Sequence, residues 1–563
     1  MQRTLHIGLV QYDPTVGDVD GNVERIERRY AELAARADLV VAPELSVLGY
    51  PPRDLLHRTG LLDAQWAAVE ALAGRTVDGP PLIVGAPVRR AAGIGPPLQN
   101  GAVVLRDGEV AATYAKRLLP TYDVFDEHRY FEPGTEPVTV TIDGIGIGLS
   151  ICEDAWHDAV ITGQRRHDTN PLADLADRGA DVIVTLSASP FSLDKPNRRD
   201  RRFADHAART GCPVAFVNQV GGNDELIFDG NSFVVGADGD VVARLAGFEP
   251  DAGVVEVPVG DADPGAAGDS SPPTGDHATQ ARRALRLGIS DYFEKVGFDE
   301  AIVGMSGGID SSVAAALAVD ALGSDGVYGV SLPSSVTSEE SVADARAVAE
   351  RLGIEFDAVP IGETTAAVRA AFENHAGTGL TGIARENLQA RVRGAILMGF
   401  ANERDALVLT PDNKSEAAVG YCTLYGDTVG ALAPLGDCYK GLVYDLAAQY
   451  NDDPPGSASG PVIPDRVIQK APSAELREGQ TDADELPPYD QLDPVLAEYV
   501  PGQATGEELR EEFPAGVVDE TLERLTRAEF KRRQTPPPLR ITRKAFGRGW
   551  NYPVAADYRH VRE

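Results

Sequence analysis

The amino-acid sequence predicts a protein of two α/β domains joined by a linker. A chain of 563 residues is too long for one hydrophobic core, and its 43% hydrophobic content is that of an ordinary globular protein. Short β-rich runs alternate with polar or helical segments up to about residue 258, which indicates an α/β or layered α+β domain. Residues 261–275 lack periodicity and are rich in Gly, Pro, Ser and Asp. We therefore expect a first domain over residues 1–260, a linker over 261–278 and a second domain over 279–563.

The apolar runs of the first domain predict buried strands, and periodic structure in the second domain resumes with a helix near Thr279. Two polar segments that contain Pro and Gly, residues 451–461 and 499–520, are predicted as surface loops. The strands predicted for the first domain cover residues 7–10, 39–42, 82–85, 145–151, 182–186 and 214–217.

The composition excludes several classes of protein. The net charge is −34, from 86 acidic and 52 basic residues, and only eight of the basic residues are lysines. This charge argues against a nucleic-acid partner. No apolar run approaches the ~20 residues of a membrane-spanning helix, and the first residues resemble a strand rather than a signal peptide. The four cysteines are scattered singly, so neither a disulfide framework nor a zinc site is indicated. We expect a cytoplasmic protein with no membrane partner.

Glu44, Lys116 and Cys152 lie at the ends of predicted strands, where α/β folds carry their chemistry. A thiolate can attack an amide carbonyl, a carboxylate can take its proton and later activate water, and a cation can steady the oxyanion. Neighbouring carboxylates at Glu153 and Asp154 would raise the pKa of the thiol, so a cation must compensate, and Lys116 is the candidate. Taken singly, each of these residue types is structural more often than catalytic.

The sequence around these residues resembles the nitrilase superfamily. Three blocks carry the resemblance: residues 43–52 (PELSVLGYPP), 116–122 (KRLLPTY) and 151–156 (ICEDAW). The resemblance implies an α-β-β-α sandwich with Glu44 as general base, Lys116 as electrophilic stabiliser and Cys152 as nucleophile.

Further blocks are similar to the amidases that are fused to NAD synthetases. These are residues 122–127 (YDVFDE), 187–191 (SASPF) and 218–230 (NQVGGNDELIFDG). The similarity implies that glutamine binds to Tyr122, Ser189 and Lys195. One departure is that Lys195 follows Asp194, where a glycine is more usual.

The second domain opens with a phosphate-binding pattern. A short apolar strand (301–305, AIVGM) leads through a Gly/Ser-rich turn (306–312, SGGIDSS) into an apolar helix. Glycines allow close backbone approach, and free amides at a helix N-terminus point at an anion. The lysine of the G-x-x-x-x-G-K-[ST] loop is absent. A generic glycine-rich turn is the alternative, but the order of elements resembles the pyrophosphatase loop of adenylating enzymes, with Asp310 placed to help hold magnesium on the departing pyrophosphate.

Later blocks resemble the glutamine-dependent NAD synthetases, and the likeness covers nearly the whole chain. The blocks are residues 386–394 (ENLQARVRG), 412–427 (DNKSEAAVGYCTLYGD), 434–440 (PLGDCYK), 472–477 (PSAELR), 486–489 (LPPY) and 530–537 (FKRRQTPP). The resemblance implies a doubly wound, Rossmann-like second domain. Departures at Pro411–Asp412, where a glycine is commoner, and at Val336, where an aromatic residue often follows Pro-Ser, concern the fine nucleotide contacts.

The same resemblance implies a set of ligand-binding residues, with ATP as co-substrate and Mg²⁺ as cofactor. ATP would bind to Gly304, Met305, Ser306, Gly307, Gly308, Ile309, Asp310, Ser311, Ser312, Thr410 and Lys440; deamido-NAD to Asn387, Arg391, Glu416 and Lys531; and Mg²⁺ to Asp310 and Glu416. Without the resemblance, Arg391 is a solvated helix residue and Lys414 and Glu416 are a surface pair of little energetic value.

The activity implied is adenylation of the nicotinate carboxylate of deamido-NAD by ATP, followed by displacement of AMP by ammonia that the first domain frees from glutamine. An enclosed route for ammonia between the domains and a homo-oligomeric state are further implications of the resemblance. Two alternatives stay open: another amide-forming enzyme with a pyrophosphatase loop, such as a GMP or asparagine synthetase, and a non-catalytic scaffold.

The charge of −34 and the scarcity of lysine predict adaptation to high salt, because concentrated salt screens the repulsion between carboxylates that keep the surface hydrated. A merely acidic protein from an ordinary cytoplasm is the alternative. We expect activity and melting temperature to rise as KCl approaches molar concentrations. A melting temperature that falls steadily with added KCl contradicts the prediction.

Overall fold

The computed structural model describes residues 3–90, 93–158, 160–161, 164–165, 167–260, 275–376 and 378–562. The chain divides into two compact units, Met1–Thr274 and Gly275–Glu563. Residues 261–274, which make up most of the predicted linker, lie outside the described residues. The helix predicted near Thr279 begins at His277, where the carboxylate of Asp276 accepts a hydrogen bond from the backbone N–H of Thr279 at 2.8 Å.

Among its described residues, the first unit contains two six-stranded β-sheets, two small two-stranded sheets and four α-helices. Its helices are α1 (Val19–Leu33), α2 (Thr59–Ala73), α3 (Pro171–Asp177) and α4 (Lys195–Thr210). Its strands are β1 (Arg3–Gln11), β2 (Leu39–Val41), β3 (Leu82–Arg89), β4 (Leu98–Arg106), β5 (Glu109–Ala115), β6 (Thr139–Ile142), β7 (Ile145–Ile151), β8 (Val160–Ile161), β9 (Gln164–Arg165), β10 (Val182–Ser187), β11 (Val214–Asn218), β12 (Val220–Asn223), β13 (Leu226–Asp229), β14 (Phe233–Val235), β15 (Val241–Arg244) and β16 (Asp251–Val259).

The two large sheets have six strands each, in the orders β16-β1-β2-β3-β4-β5 and β15-β14-β11-β10-β7-β6. Parallel pairs form the centre of each sheet: β1 pairs with β2, and β10 pairs with both β7 and β11. The predicted strands of this unit are all present, within β1, β2, β3, β7, β10 and β11.

Alternation along the strands builds three layers of core. In β2, Leu39 and Val41 pack between the sheets, whereas Val40 packs beneath α1 and α2. In β10, Val182 and Val184 pack between the sheets, and Ile183 packs against α3 and α4. Because both faces of these strands are buried, they read as continuous apolar runs. The arrangement confirms the α-β-β-α sandwich.

The described residues of the second unit form a four-stranded sheet and the helices α5 to α16. Its strands are β17 (Ala301–Gly304), β18 (Val327–Ser331), β19 (Glu355–Ala358) and β20 (Leu407–Leu409). Its helices are α5 (His277–Val296), α6 (Ile309–Leu322), α7 (Glu339–Leu352), α8 (Gly362–Ala376), α9 (Ile383–Arg404), α10 (Lys414–Val419), α11 (Lys440–Asp452), α12 (Asp465–Gln469), α13 (Tyr489–Tyr499), α14 (Gly506–Glu512), α15 (Ala515–Arg527) and α16 (Glu529–Arg532).

This sheet is parallel throughout, in the order β19-β18-β17-β20. The chain steps outward from β17 to β19 and then returns to the other side of β17 as β20. Right-handed crossovers therefore place the helices of the two halves on opposite faces. The doubly wound prediction is confirmed, and the reversal of strand order beside β17 creates the crevice in which such folds bind ligands.

The loop predicted at residues 499–520 is wrong for most of its length, because α14 and the start of α15 lie there. The overlooked signal is a capping box: Thr505 and Glu508 exchange side-chain-to-backbone hydrogen bonds at the start of α14. Pro514 directly precedes α15. In the other predicted loop, α11 ends at Asp452 and residues 453–464 carry no helix or strand. No helix among the described residues is long and apolar enough to cross a membrane.

Candidate active sites

Three strand ends in the first unit bring Glu44, Lys116 and Cys152 together. Glu44 follows β2, Lys116 follows β5 and Cys152 follows β7. The segment that carries Glu44 passes so close to β3 that a Cβ on Gly85 would lie 2.2 Å from the backbone nitrogen of Leu45. Only glycine fits there, and this close approach fixes the position of the carboxylate.

The ammonium group of Lys116 is fully buried between two carboxylates. Its Nζ donates to Glu44 Oε1 at 2.7 Å and to both oxygens of Glu127 at 2.9 Å. Asn100 Nδ2 donates to Glu44 Oε1 at 2.7 Å, and the backbone N–H of Ala188 donates to Glu44 Oε2 at 2.9 Å. The Glu44 carboxylate thus accepts hydrogen bonds from Lys116, Asn100 and Ala188.

Glu127 has no role in the sequence prediction, although it ends the block at residues 122–127. It begins a short 3₁₀ helix (Glu127–Arg129) and accepts a hydrogen bond from Tyr50 Oη at 2.9 Å. Burial raises the pKa of Glu127 to about 7, against the ammonium of Lys116, which lowers it. The role of Glu127 follows from its hydrogen-bond partners, which only the fold brings to its carboxylate. Tyr50, for example, lies 77 residues away in the chain.

Cys152 occupies a strained turn at the end of β7. Its φ is +42°, a left-handed conformation that residues other than glycine rarely adopt. Asp154 holds the turn by accepting hydrogen bonds from the backbone N–H groups of Ile151 at 2.9 Å and Leu118 at 3.0 Å. Strain of this kind is found at functional sites.

Burial raises the pKa of the Cys152 thiol well above its usual range, and the charge of Glu44 raises it further; Lys116 and Lys195 lower it. From the sequence alone, Glu153 and Asp154 are the predicted cause of a raised thiol pKa. Glu153 contributes less than Glu44, and Asp154 is engaged with backbone amides. Lys116 does oppose the shift, as predicted.

The three predicted glutamine contacts lie around this turn. Tyr122 Oη donates to Glu153 Oε2 at 2.9 Å, and Lys195 Nζ donates to the carbonyl of Pro190 at 2.6 Å. The hydroxyl of Ser189 is buried and has no hydrogen-bond partner among the described residues. Asp194, which replaces a more usual glycine, has φ +65°, so the backbone here requires the left-handed conformation and the aspartate adopts it.

In the second unit, the predicted phosphate loop joins β17 to α6. Gly308 caps the helix, and its carbonyl accepts hydrogen bonds from Ser311 Oγ at 3.0 Å and Ser312 Oγ at 2.8 Å. Gly307 has φ +82°, and a Cβ there would lie 2.1 Å from the carbonyl oxygen of Ser341. The amides at the start of a 14-residue helix face the crevice at the carboxyl end of β17.

Asp310, Glu416 and Lys440 meet beside this loop. Lys440 Nζ donates to Asp310 Oδ2 at 2.6 Å and to Glu416 Oε1 at 3.1 Å. Burial lowers the pKa of Lys440, but the two carboxylates outweigh it and raise the pKa above its usual range. Burial raises the pKa of Glu416 to about 7 against the opposing charge of Lys440.

A cavity opens at the carboxyl ends of β17 and β20, at the reversal of strand order. Glu416 and most of the predicted ATP-binding residues line it: Gly304, Met305, Ser306, Gly308, Ile309, Asp310, Ser311 and Lys440. Gly307, Ser312 and Thr410 do not; Thr410 is buried and its hydroxyl donates to the carbonyl of Val429 at 2.7 Å.

Asn387, Arg391 and Lys531 do not line this cavity, but all three hold the loop that follows α10. Thr423 Oγ1 donates to Asn387 Oδ1 at 2.9 Å, and Arg391 Nε donates to the carbonyl of Leu424 at 3.1 Å. Lys531 Nζ donates to the carbonyls of Gly420 and Cys422, both at 2.7 Å. The three residues share one loop, and it leads to Asp427 on the cavity wall.

Lys414 and Glu416 do not form a surface pair. Lys414 is 1% exposed and its Nζ lies 2.7 Å from Asp437 Oδ1. Glu416 faces Lys440 instead. The reading of these two residues as a weak surface pair is therefore wrong, because the start of α10 is buried.

Further cavity residues have no assigned role in the sequence prediction. Asp412 and Asp427 line the wall; burial raises the pKa of Asp412 well above its usual range and that of Asp427 to about 6. Asp412 lies outside the left-handed region, so its backbone does not need the more usual glycine. At the rim, Lys470 Nζ donates to Glu475 Oε1 at 2.7 Å. Glu475 belongs to the block at residues 472–477, which was a usable signal.

These residues fit magnesium. The described residues contain no group of three or more His, Cys, Asp or Glu side chains arranged to hold a metal ion by themselves. Mg²⁺, however, is commonly bound through one or two carboxylates together with substrate phosphates. Asp310 and Glu416 supply two such carboxylates beside a helix N-terminus suited to phosphate.

Comparison with known proteins agrees with this geometry over the whole chain. Residues 6–266 match the family model for carbon-nitrogen hydrolase, and residues 282–535 match that for NAD synthase. The chain is 40% identical over 557 residues to the glutamine-dependent NAD(+) synthetase of Synechocystis sp., covering 98% of this chain and 99% of that protein. The chain belongs to the glutamine-dependent NAD(+) synthetases.

Other members of the family are similar over the same extent. The synthetase of Aquifex aeolicus is 39% identical, covering 98% of this chain and all of that one. The solved structure of the Acinetobacter baumannii synthetase in complex with adenosine diphosphate superposes with a TM-score of 0.76 at 34% identity, covering 98% of both chains.

The electrostatics of Cys152 predict an effect of Glu44→Gln. Because the charge of Glu44 raises the pKa of the thiol, its neutral isostere is expected to lower that pKa and to speed alkylation of Cys152 by iodoacetamide at any pH below it. The measurement is the pH dependence of alkylation, followed by peptide mass spectrometry because Cys422 is also partly accessible. Glu136→Gln, at an exposed site, is the matched control. An unchanged or higher thiol pKa in Glu44→Gln contradicts the electrostatic assignment.

Proposed function

We propose that this chain makes NAD from deamido-NAD, ATP and glutamine, with the amidase chemistry in residues 1–260 and the ATP-dependent chemistry in residues 279–563. The observation that carries the proposal is the presence in one chain of two distinct sites, a Cys-Glu-Lys cluster in the first unit and a phosphate loop with paired carboxylates in the second. Full-length similarity to glutamine-dependent synthetases supports assigning both to one reaction.

In the first site, Cys152 Sγ attacks the carboxamide carbon of glutamine and Glu44 takes the thiol proton. Collapse of the tetrahedral adduct releases ammonia, which leaves with a proton from Glu44, and forms a thioester at Cys152. Water, deprotonated by Glu44, then attacks the thioester carbon; the Cys152 sulfur leaves and takes the proton back from Glu44, and glutamate is released. The ammonium of Lys116 offsets the oxyanion charge, and Glu127 holds Lys116 in place through two hydrogen bonds of 2.9 Å. Tyr122, Ser189 and Lys195 bind glutamine.

In the second site, the loop from Gly304 to Ser312 and Lys440 bind the phosphates of ATP. The nicotinate carboxylate of deamido-NAD attacks the α-phosphorus of ATP, and pyrophosphate leaves. This adenylation is needed because a free carboxylate is too poor an electrophile for attack by an amine. Ammonia then displaces AMP and forms the amide. We assign four residues to deamido-NAD: Asn387, Arg391, Glu416 and Lys531. Three of them, Asn387, Arg391 and Lys531, make hydrogen bonds with the loop after α10. A nucleotide complex of the Acinetobacter baumannii relative supports nucleotide binding by this chain.

Asp310 and Glu416 would hold Mg²⁺, which neutralises the charge of the departing pyrophosphate when bound. Asn413 connects the two residues: its Nδ2 donates to Asp310 Oδ1 at 2.9 Å, and its Oδ1 caps α10 by accepting from the backbone N–H of Glu416 at 3.0 Å. One asparagine thus links the Asp310 carboxylate to the backbone of Glu416.

A GMP or asparagine synthetase is the alternative chemistry for a pyrophosphatase loop. Incubation of the pure protein with ATP and glutamine plus deamido-NAD, xanthosine monophosphate or aspartate separates the three activities, and amide formation only with deamido-NAD supports the proposal. A cytoplasmic location, a homo-oligomeric state and adaptation to high salt stay predictions from the sequence.

Cys152→Ala is expected to abolish NAD formation from glutamine, by at least ~10⁴-fold, because no other nucleophile replaces the sulfur. NAD formation from ammonium should persist, since the adenylating residues belong to the other unit. Both rates are measured on the same preparation with saturating deamido-NAD and ATP.

The matched control is Cys212→Ala, which removes a buried thiol that packs against α4 and contacts the carbonyl of Ala180 at 3.1 Å. It should retain both activities. Equal loss of both activities in Cys152→Ala, with an unchanged melting curve, would contradict the assignment of separate sites.

Asp310→Asn is expected to abolish NAD formation from either nitrogen source, because departure of pyrophosphate precedes entry of nitrogen. Glutamine hydrolysis should survive at least in part, measured as glutamate released. Asp325→Asn removes one charge from an exposed turn of the same unit and serves as the control. NAD formation at the wild-type rate in Asp310→Asn would refute the magnesium role.

A further inference from the structure

Lys440 is placed where a lysine is intrinsically unfavourable. It is the first residue of the 13-residue helix α11, so its charge lies at the positive end of the helix dipole. It is also 1% exposed, which removes the ammonium from water. Both costs require compensation, and the carboxylates of Asp310 and Glu416 supply it at 2.6 and 3.1 Å.

The surroundings fix the ammonium in this position. The backbone N–H of Lys440 donates to Ser415 Oγ at 3.0 Å, one residue before Glu416. The ammonium also lies 5.2 Å from the ring centroid of Tyr489, within the range of a cation–π contact. Tyr489 in turn donates to Asp482 Oδ2 at 2.8 Å, so the ring is itself anchored.

The oxygens that Lys440 contacts are the oxygens that a divalent cation would use. Asp310 Oδ1 is already engaged by Asn413, and Lys440 takes the other oxygen, Oδ2. Lys440 also takes Oε1 of Glu416. An ammonium ion and a divalent cation cannot both lie between the same two oxygens, because the two positive charges would repel each other at that distance.

We propose that Lys440 is an internal counter-ion that competes with a divalent cation for Asp310 and Glu416, so that the cation binds tightly only together with the phosphates of a nucleotide. The inference rests on the proposed function. When a cation displaces the ammonium without phosphate present, Lys440 is left buried beside a helix N-terminus without the two carboxylate contacts that compensate its charge. When triphosphate or pyrophosphate is present, its oxygens accept the hydrogen bonds of the displaced ammonium.

A consequence is strong coupling between the two ligands. Phosphate raises the affinity for the cation because it relieves the cost of displacing Lys440, and by linkage the cation raises the affinity for phosphate by the same factor. Lys440 therefore couples cation binding to nucleotide binding and disfavours a cation bound alone.

The test uses Mn²⁺ as the probe on the full-length protein, with binding followed by electron paramagnetic resonance of free Mn²⁺ and by calorimetry. Lys440→Met, a neutral side chain of similar length, is expected to bind Mn²⁺ without nucleotide at least ~10-fold more tightly than wild type, and the enhancement of Mn²⁺ binding by pyrophosphate is expected to shrink by a similar factor. Lys440→Gln serves as a second variant if Lys440→Met does not fold.

Lys470→Met is the matched control, because Lys470 lines the same cavity but contacts Glu475 and Ser341. It should leave the Mn²⁺ affinity unchanged. The double variant Lys440→Met, Asp310→Asn should lose the gain in Mn²⁺ affinity. This loss would show that the gain depends on the Asp310 carboxylate that Lys440 contacts. An unchanged or weaker Mn²⁺ affinity in the folded Lys440 variants overturns the inference, as does an equal gain in Lys470→Met.

These outcomes are separable from a failure of the proposed function. If Asp310→Asn abolishes NAD formation while Lys440→Met leaves Mn²⁺ affinity unchanged, the inference is wrong and the magnesium role stands. If Asp310→Asn retains NAD formation, the magnesium role itself is wrong, and the inference falls with it.

Discussion

A buried ammonium ion needs a carboxylate within hydrogen-bond reach, and this requirement shapes both candidate sites. Lys116, Lys414 and Lys440 are each 1% exposed. Each lies 2.6 to 2.7 Å from a carboxylate oxygen, on Glu44, Asp437 and Asp310 respectively. Removing one partner of such a pair typically costs about 3–5 kcal/mol, because the other charge is left buried alone. The carboxylates of the candidate sites are therefore also structural, and their positions are fixed by the fold.

Lys414 shows how one such pair supports a site that it does not enter. Its carboxylate partner, Asp437, also accepts hydrogen bonds from the backbone N–H groups of Ile541 at 2.8 Å and Thr542 at 2.7 Å. This docks a distant segment of chain against the start of α10. The adjacent Asn413 can then cap α10 and reach Asp310. A change at Asp437 would thus be felt at the Asp310 carboxylate without touching substrate.

The sequence was most informative where periodicity or strand ends carried the signal. Strands buried on both faces appear as apolar runs, and Glu44, Lys116 and Cys152 could be placed because each belongs to a block that resembles a family signature. Glu127 could not be assigned a role, since only the fold brings Tyr50 and Lys116 to its carboxylate. The helix at α14 could have been predicted from its capping box. The hydrogen bonds from Lys531 Nζ to the backbone carbonyls of Gly420 and Cys422 could not be predicted from any sequence pattern.

Both sites combine lysine with an excess of acid, but the excess has different consequences. In the first site, Glu44 and Glu127 share Lys116, and burial raises the pKa of Glu127 to about 7, so the cluster can hold a proton near neutrality without any added ion. In the second, the carboxyl groups of Asp310, Asp412, Glu416 and Asp427 line the same cavity as Lys440. Lys440 donates to two of these carboxyl groups, on Asp310 and Glu416, and the cavity has room for an added ion. The first site is therefore suited to moving protons at a thiol, and the second to recruiting a cation together with the phosphates that it serves.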